Sequence, residues 1–240
     1  PRNGLIGYWN MDSNDINGTN VYDKSGKSRS GTRTGASGDN NTPQVANDGK
    51  IKQSLDFDGT DDSISVSSVP SVGTGDFSIS QWIKANDTGA NHATIFLGSG
   101  ATKQSTYFLF DTPDNVLQFG TWGIDSTLVP VVSESTLFDN NWHHLVGTKS
   151  GDVMTLYVDG VLIDQDTVTG INLGTDSLTI GSLPSSDYTN GNIDETRIYN
   201  RALPAAEVKN LYDSARTRFI QAPPRNGLIG YWNMDSNDIN

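Results

Sequence analysis

The first seventeen residues of the chain, Pro1 to Asn17, return without a substitution as Pro224 to Asn240. Every residue of the first copy matches the one 223 positions later. A period of this length is that of a whole domain, because solenoid repeats are only about 20–50 residues long. We interpret the chain as one full unit of a tandem array followed by the start of the next. The alternative is a deliberately appended copy of the first strand.

One unit of this size fits a single large all-β domain. Hydrophobic residues make up 34% of the chain and occur in short runs separated by Gly, Ser, Thr, Asn and Asp. This mixture favours many short strands with polar turns and disfavours helices. The predicted organisation is a β-sandwich over residues 1–216, a proline-containing linker over 217–226, and the first strand of the next repeat over 227–240.

The charge and cysteine content exclude several classes of function. The net charge is −12, and no basic stripe is present that could neutralise the phosphates of a nucleic acid. The chain contains no cysteine, which excludes disulfides, thiolate zinc sites and a cysteine nucleophile. No apolar run reaches 18 residues, so we expect no membrane insertion.

Local patterns predict strands, one hairpin and one helix. Residues Phe77–Lys84 alternate in a way that predicts a strand covered on both faces. The pair Asp159-Gly160 joins two strand-like runs, Met154–Val158 and Val161–Asp166, and both of its residues tolerate the positive φ of a tight hairpin. A helix is predicted to begin at Pro204 and to end near Ser214–Arg216. Its apolar residues recur at helical spacing: Val208, Leu211, Tyr212 and Ala215.

Four segments follow one another in order across residues 4 to 215. They are Gly4–Asp12 with Val21–Gly26, Ser54–Gly59 with Phe77–Ile83, Trp142–Thr148 with Thr155–Gly160, and Ile193–Leu203. Together they resemble the laminin-G-like, concanavalin A-like lectin/glucanase family in its bacterial branch. The resemblance implies an all-β, two-sheet antiparallel jelly-roll sandwich whose first and near-last strands meet, with one short C-terminal helix. This fold hosts lectins, adhesins, carbohydrate-binding modules and glycosidases, so it does not give the function by itself.

The chain lacks the carboxylate arrangement of the glucanase relatives. A retaining glycosidase needs two carboxyl groups about 5 Å apart, and no Glu-x-Asp-x-Glu motif occurs. The only glutamates are Glu134, Glu195 and Glu207, in separate segments. Asp194 and Glu195 are adjacent and would face opposite sides of a regular strand. The pair His143-His144 belongs to a structural strand of the family. We therefore expect no catalytic residues and no enzyme.

The resemblance implies one structural Ca²⁺, a cation that prefers carboxylate and carbonyl oxygens. Its implied ligands are Asp12 after the first strand, the carbonyl of Gly49, and Asp194 in the final strand. Alternatively, Asp12 caps a turn, and Asp194 pairs with Arg197 or lies in solvent. The acidic run Asp58–Asp62 is a second option for a cation, and a polar turn explains it at least as well.

A sugar site requires an exposed aromatic ring beside hydrogen-bonding side chains. Trp122 is flanked by Gly120 and Gly123, which would leave its ring uncovered, and Asp125 follows closely. The alternative is a ring that covers the sheet edge. Trp82 and Trp142 we interpret as residues in or beside the core. Two further candidates for the sugar site are Tyr107 and Tyr188.

The domain has one place for a first strand, and the chain carries two copies of it. An unpaired copy would add to a sheet of a neighbouring unit, or dock on its own domain. The predicted assembly residues are Leu228, Ile229, Tyr231, Trp232 and Met234. We expect a non-catalytic adhesive or structural module of a long tandem-repeat extracellular surface protein or filament, whose partners are other copies of the domain and extracellular glycans. The alternatives are a carbohydrate-binding lectin domain and a glycoside hydrolase.

Overall fold

A computed structural model describes residues 2–35, 42–85, 89–98, 105–111, 116–122, 128–133, 137–174, 177–184 and 186–217. The described elements are seventeen strands, one short 3₁₀-helix (Ser13–Asp15) and one α-helix, α1 (Ala205–Thr217). In chain order the strands are β1 (Leu5–Trp9), β2 (Ile16–Asn17), β3 (Asn20–Val21), β4 (Gly31–Thr34), β5 (Gln44–Ala46), β6 (Ser54–Asp58), β7 (Ser63–Ser67), β8 (Phe77–Ala85), β9 (His92–Leu97), β10 (Ser105–Asp111), β11 (Val116–Trp122), β12 (Leu128–Ser133), β13 (His143–Ser150), β14 (Val153–Val158), β15 (Val161–Thr167), β16 (Ser177–Ile180) and β17 (Asn190–Tyr199).

The strands form two antiparallel sheets. One sheet has the order β15-β14-β13-β8-β17-β6-β5, with β1 also paired to β17. The other has the order β12-β11-β10-β9-β16-β7-β4-β3-β2. In the pairing of β1 with β17, Leu5 is opposite Tyr199 and Trp9 is opposite Thr196. The expected jelly-roll sandwich is therefore confirmed, and so is the meeting of the first and near-last strands.

The core lies between the inner faces of the two sheets. It is built from alternate apolar residues of each strand, as the period of two in a pleated strand requires. At Gly147 the sheets approach so closely that a Cβ atom would lie 2.5 Å from the ring of Phe119. Glycine at this position lets an aromatic ring of one sheet rest on the backbone of the other.

The eight-stranded sheet is also covered on its outer side, by helix α1. Val208 and Leu211 pack there against Val146 and Tyr199. The ring of Tyr212 stacks on Trp82 with a centroid distance of 5.6 Å, and every residue of β8 except Lys84 is buried. The expectation that β8 is covered on both faces is confirmed. No helix in the described part of the chain combines the length and apolarity needed to cross a membrane.

The predicted hairpin between β14 and β15 is present. Asp159 and Gly160 have φ values of 52° and 78°, and Val158 is directly opposite Val161. Helix α1 begins after Pro204, whose carbonyl oxygen accepts a 3.1 Å hydrogen bond from the main-chain N–H of Val208. The helix extends to Thr217, one residue beyond its expected end.

Candidate functional site

Asp194, on β17, is a fully buried carboxylate. Its Oδ2 accepts a 2.9 Å hydrogen bond from the main-chain N–H of Ile51, whereas Oδ1 has no partner among the described residues. Burial, followed by the negative charges of Glu195 and Asp12, raises the pKa of Asp194 to about 9. An ionised Asp194 is therefore costly unless a cation compensates it.

Asp12 contacts the turn that contains Ile51, the residue whose N–H binds Asp194. Its Oδ1 accepts a 3.3 Å hydrogen bond from the main-chain N–H of Gln53, and its Oδ2 lies 3.1 Å from Nζ of Lys52. The turn is tight, because a Cβ atom on Gly49 would lie 2.2 Å from the backbone of Gln53. We name residues 48–53 the acid-binding turn. It brings the three implied metal-site residues, Asp12, Gly49 and Asp194, into one region.

Two oxygen atoms of this region are of the kind that a calcium ion binds. Asp194 Oδ1 and Asn10 Oδ1 are both buried and lack a hydrogen-bond partner among the described residues. The side-chain amide of Asn10 donates to Asp12 Oδ2 (2.9 Å) and to Asp15 Oδ2 (2.8 Å), which fixes its orientation. Uncompensated carboxylate and amide oxygens are the donors that Ca²⁺ prefers. Asn10 was not among the residues that the sequence predicted for the metal site, and its hydrogen bond to Asp12 places it beside them.

The alternative environments expected for Asp194 are not observed. The residue is buried, and the guanidinium of Arg197 pairs with Glu195 instead. The strand is irregular between Asp194 and Arg197, where the register shifts and Glu195 has a φ of 55°. The expectation that Asp194 and Glu195 face opposite sides assumed a regular strand, and that assumption does not hold at this position. Glu195 also accepts hydrogen bonds from the hydroxyl of Tyr8. Neither carboxylate is open to a substrate, since both are buried.

The second acidic group has the geometry of a polar turn. Carboxylate oxygens of Asp58, Asp61 and Asp62 lie within 4.8 Å of one another. Asp58 accepts a 2.8 Å hydrogen bond from the N–H of Thr60, and Asp62 accepts one of 3.2 Å from the N–H of Asp58. These bonds shape the connection between β6 and β7, and Oδ1 of Asp61 is buried without a hydrogen-bond partner among the described residues.

In the histidine pair, His144 makes the contacts of a core residue and not those of a catalytic base. His144 Nε2 lies 2.9 Å from Ser80 Oγ, but its Nδ1 has no partner in the described part of the chain. A serine nucleophile needs a histidine that is itself oriented by an acid. Burial, together with the positive charge of Arg197, lowers the pKa of His144 to about 3. His144 is therefore a neutral core residue that stacks on Trp82 at 4.8 Å.

Two of the residues predicted for sugar binding have described side chains, and of these Tyr188 lies at an open cleft and Tyr107 does not. Tyr107 is buried against Ala93, Phe96 and Leu183 and so offers no platform. Asp125 and the side chain of Trp122 lie outside the described residues, as does the entire second copy with its five assembly residues.

Tyr188 is half-buried and lines a cleft of about 340 Å³ together with Asn91, Asp187 and Asn190. His92 Nδ1 lies 3.1 Å from the carbonyl oxygen of Tyr188 and 3.3 Å from the main-chain N of Asn190, which ties this loop to the second sheet. The amide of Asn190 also donates to the carbonyl of Asp58. The cleft therefore has a fixed backbone and several polar side chains at its wall.

A second cleft, of about 380 Å³, was missed by sequence reasoning. It is lined by half-buried Trp142, whose indole N–H donates a 3.0 Å hydrogen bond to the carbonyl of Asp48. The acid-binding turn and Trp142 are 94 residues apart in sequence, so no local pattern could reveal their meeting. Its other lining residues are Gly49, Lys50, Lys84, Asn140 and Asn141.

Both clefts lie at the same end of the sandwich. Strand pairing places Asn190 opposite Asp58, Gly191 opposite Ala85, and His143 opposite Ile83. Tyr188 lies in the connection just before Asn190, and Trp142 lies just before His143. We call this end the loop end.

The two antiparallel sheets and the clefts at the loop end define a lectin-like jelly-roll domain. Residues 58–209 match the Laminin_G_3 model, described as the concanavalin A-like lectin/glucanases superfamily. The match covers more than half of the chain, and the chain belongs to this superfamily. A search of curated protein sequences finds no significant match.

Solved structures with the same fold are mainly binding domains. The binding domain of Paraclostridial mosquitocidal protein 1 is 20% identical with a TM-score of 0.66, and the match covers 89% of this chain and 52% of that one. The receptor-binding domain of botulinum neurotoxin C/D mosaic serotype is 15% identical with a TM-score of 0.69, covering 92% and 52%. This chain thus spans about half the length of both toxin domains.

Domain 4 of AbnA, a GH43 extracellular arabinanase from Geobacillus stearothermophilus, was solved in complex with arabinotriose. It is 22% identical with a TM-score of 0.61, and the match covers 87% of this chain and 98% of that one. At these identities the likeness shows a shared fold.

Proposed function

We propose that the chain is a non-catalytic carbohydrate-binding module of an extracellular surface protein and that it binds glycans at the Tyr188 cleft. The observation that carries the proposal is the position of half-buried Tyr188 in the wall of a cleft with Asn91, Asp187 and Asn190. A phenol ring packs against the apolar face of a pyranose, and amide and carboxylate groups bond its hydroxyls. The complex of arabinanase domain 4 with arabinotriose supports a sugar ligand for this fold.

The contacts of the acidic residues support a binding role over hydrolysis. Asp194 is held by the N–H of Ile51, and Glu195 is occupied by Tyr8 and Arg197. Of the residues lining the Tyr188 cleft, Asp187 is the one carboxylate, whereas glycosidic hydrolysis requires two that face the same bond.

A calcium ion at Asp194, Asp12 and Asn10 would stabilise the module. It would compensate the buried charge of Asp194 and cross-link the segment after β1, the acid-binding turn and β17. Its role is structural, and no step of ligand binding requires contact with it.

The test is a glycan-array screen, followed by calorimetry with a neutral oligosaccharide that binds. Tyr188→Ala is expected to weaken binding at least tenfold, because it removes the stacking surface. Tyr22→Ala is the matched control, since Tyr22 is 40% exposed and does not line the cleft. Retention of binding in Tyr188→Ala, or an equal loss in Tyr22→Ala, would contradict the proposal.

A second candidate function is adhesion within a tandem array, favoured by the verbatim copy of residues 1–17 at 224–240. Strand addition by the second copy would join neighbouring units. Sedimentation of residues 1–223 and of the full chain tests it. Self-association that disappears in the shorter form supports the array role, and identical monomeric behaviour of both forms opposes it.

A further inference from the structure

We propose that the place of β1 on β17 is a binding site for either copy of the duplicated segment, and that residues 224–240 exchange with residues 1–17 of the same chain in it. The second copy lies outside the described residues, and its sequence is identical to that of the first. The proposal does not depend on glycan binding. It also differs from adhesion within an array, because the site and the segment that enters it belong to one chain.

The site is built around three apolar side chains of the first copy. Trp9 and Met11 are fully buried in the core between the sheets, and Ile6 is 7% exposed. A segment with the same side chains at the same spacing fills the same space. The second copy has these side chains at Ile229, Trp232 and Met234. Packing therefore does not distinguish the two copies.

The polar partners of the first copy occur once in the chain. The main-chain carbonyl oxygen of Tyr8 accepts a 2.7 Å hydrogen bond from the N–H of Lys24. The indole N–H of Trp9 donates a 3.0 Å hydrogen bond to the carbonyl of Arg29. In the described part of the chain β1 has one strand partner, β17. All these partners lie within residues 18–223, which are not duplicated, so the two copies compete for one set of them.

The C-terminal end of α1 is close enough for the second copy to reach the site. Leu5, the first residue of β1, packs against the buried cluster that includes Val208 and Leu211. Thr217 lies six residues beyond Leu211, or about 9 Å further along the helix axis. Ten residues join Thr217 to Leu228, the counterpart of Leu5, and they span up to about 33–36 Å. A tether of this kind gives an effective concentration on the order of millimolar, which a copy on another molecule does not reach in dilute protein.

Loop length favours the first copy. A turn of two residues between β2 and β3 joins this copy to the rest of the domain, whereas a linker of ten residues joins the second. Closing the longer loop is less probable by roughly tenfold, since its entropy cost rises with the logarithm of loop length. The form with the second copy in the site is therefore a minor one. A substitution that weakens the first copy by more than about tenfold makes it the major one.

Urea unfolding of the full-length protein tests the exchange with a variant in each copy. Trp9→Ala/Trp232→Ala leaves no intact copy and should raise the equilibrium constant for unfolding by roughly 100-fold or more, the usual effect of truncating a buried tryptophan. Trp9→Ala should raise it by only about tenfold, because the second copy then occupies the site. Trp232→Ala should change it by less than about twofold, since it affects the minor form alone.

Phe57→Ala is the matched control for these variants. Phe57 is buried in the same core, on β6, and its strand has no second copy in the chain. This single truncation should therefore raise the equilibrium constant for unfolding by roughly 100-fold or more, as the double variant does.

Methyl NMR observes the exchange directly, because the chain has three methionines, Met11, Met154 and Met234. Met11 is fully buried and gives the buried signal of the major form in the wild type. In Trp9→Ala the methyl group of Met234 should take the chemical shift that Met11 has in the wild type. Met11 should move to the shift of an exposed methionine, and the populations should not change on dilution.

Three results would overturn the proposal. The first is a loss of stability in Trp9→Ala as large as in the double variant. The second is a Met234 methyl group whose chemical shift is the same in Trp9→Ala and in the wild type. The third is a set of populations that depends on protein concentration, which would place the copy of a neighbouring chain in the site. A monomeric full-length protein would contradict adhesion within an array, but it is the state expected here.

Discussion

The main-chain N–H of Ile51 donates a hydrogen bond to Oδ2 of Asp194, and Oδ1 of this buried carboxylate has no hydrogen-bond partner in the described part of the chain. We predict that Ca²⁺ stabilises the protein through this atom. At a free concentration 100 times the Kd, linkage gives about 2.7 kcal/mol, equivalent to an increase in Tm of about 5–10 °C for a domain of this size.

Calorimetric melting in EDTA and in Ca²⁺ measures this difference. Asp194→Asn should remove most of the calcium response. Asp166→Asn should retain it, because Asp166 is exposed on the edge strand β15. An identical Tm with and without calcium in the wild type would contradict the prediction.

The metal-free protein should become less stable as the pH rises. The pKa of Asp194 is about 9 in the folded state, compared with an ordinary value near 4. The folded state therefore retains a proton that the unfolded state has lost. The stabilisation is complete below about pH 4 and disappears as the pH approaches 9, with a slope of at most about 1.4 kcal/mol per pH unit. Urea unfolding in EDTA between pH 5 and 9 measures it, and Asp194→Asn should flatten the dependence.

Tyr8→Phe should destabilise the domain by about 1–3 kcal/mol, the usual cost of depriving a buried polar group of a partner. The lost hydroxyl lies 2.9 Å from a carboxylate oxygen of Glu195, which is buried and would keep the guanidinium of Arg197 as a side-chain partner. Urea unfolding provides the measurement. Tyr22→Phe, at an exposed tyrosine, should change the free energy of unfolding by less than about 0.5 kcal/mol. A comparable loss in both variants would show that the hydroxyl of Tyr8 has no special role.

Gly147→Ala should cost about 1–3 kcal/mol, because the new methyl group would collide with the ring of Phe119. The double variant Gly147→Ala/Phe119→Leu should lose less than the sum of the two single changes, since the smaller side chain vacates the space. Strict additivity in urea unfolding would exclude this contact as the cause.

The pKa values of the two adjacent histidines, His143 and His144, should be shifted in opposite directions. Burial alone would lower the pKa of His143, but hydrogen bonds and charges from Asp159 and Asp139 raise it overall. The pKa of His144 falls to about 3. NMR of the imidazole nitrogens should show His143 gaining its proton above pH 6.5 and His144 remaining neutral down to pH 5. Protonation of His144 in that range would contradict its buried, neutral state.

Much of the fold was predictable because it depends on local chemistry. The hairpin at Asp159-Gly160 follows from two residues that accept positive φ, and the strand β8 follows from its alternation. The four segments that resemble the family predicted the sandwich, including the meeting of the first and near-last strands that is observed between β1 and β17.

The sites were less predictable because they depend on long-range contacts. The bulge at Glu195 changes the facing of two neighbouring carboxylates, and residue spacing alone contains no sign of it. Tyr107 and Tyr188 are both tyrosines near polar residues, yet Leu183 helps to bury the first while the second remains at a cleft. The Trp142 cleft exists only because a turn 94 residues away in sequence packs against its tryptophan.

The pairing of β1 with a single neighbour, β17, has a consequence for how one unit can be cut from the chain. Residues 18–240 contain every residue of the 223-residue period, with the first strand transferred to the C-terminal side of helix α1. Ten residues separate Thr217 from Leu228, a reach of up to about 33–36 Å when extended. The chain with its duplicated segment therefore contains the sequence of a circular permutant of residues 1–223. We expect a protein of residues 18–240 to fold into the same sandwich as residues 1–223, with its breakpoint moved to the turn between β2 and β3.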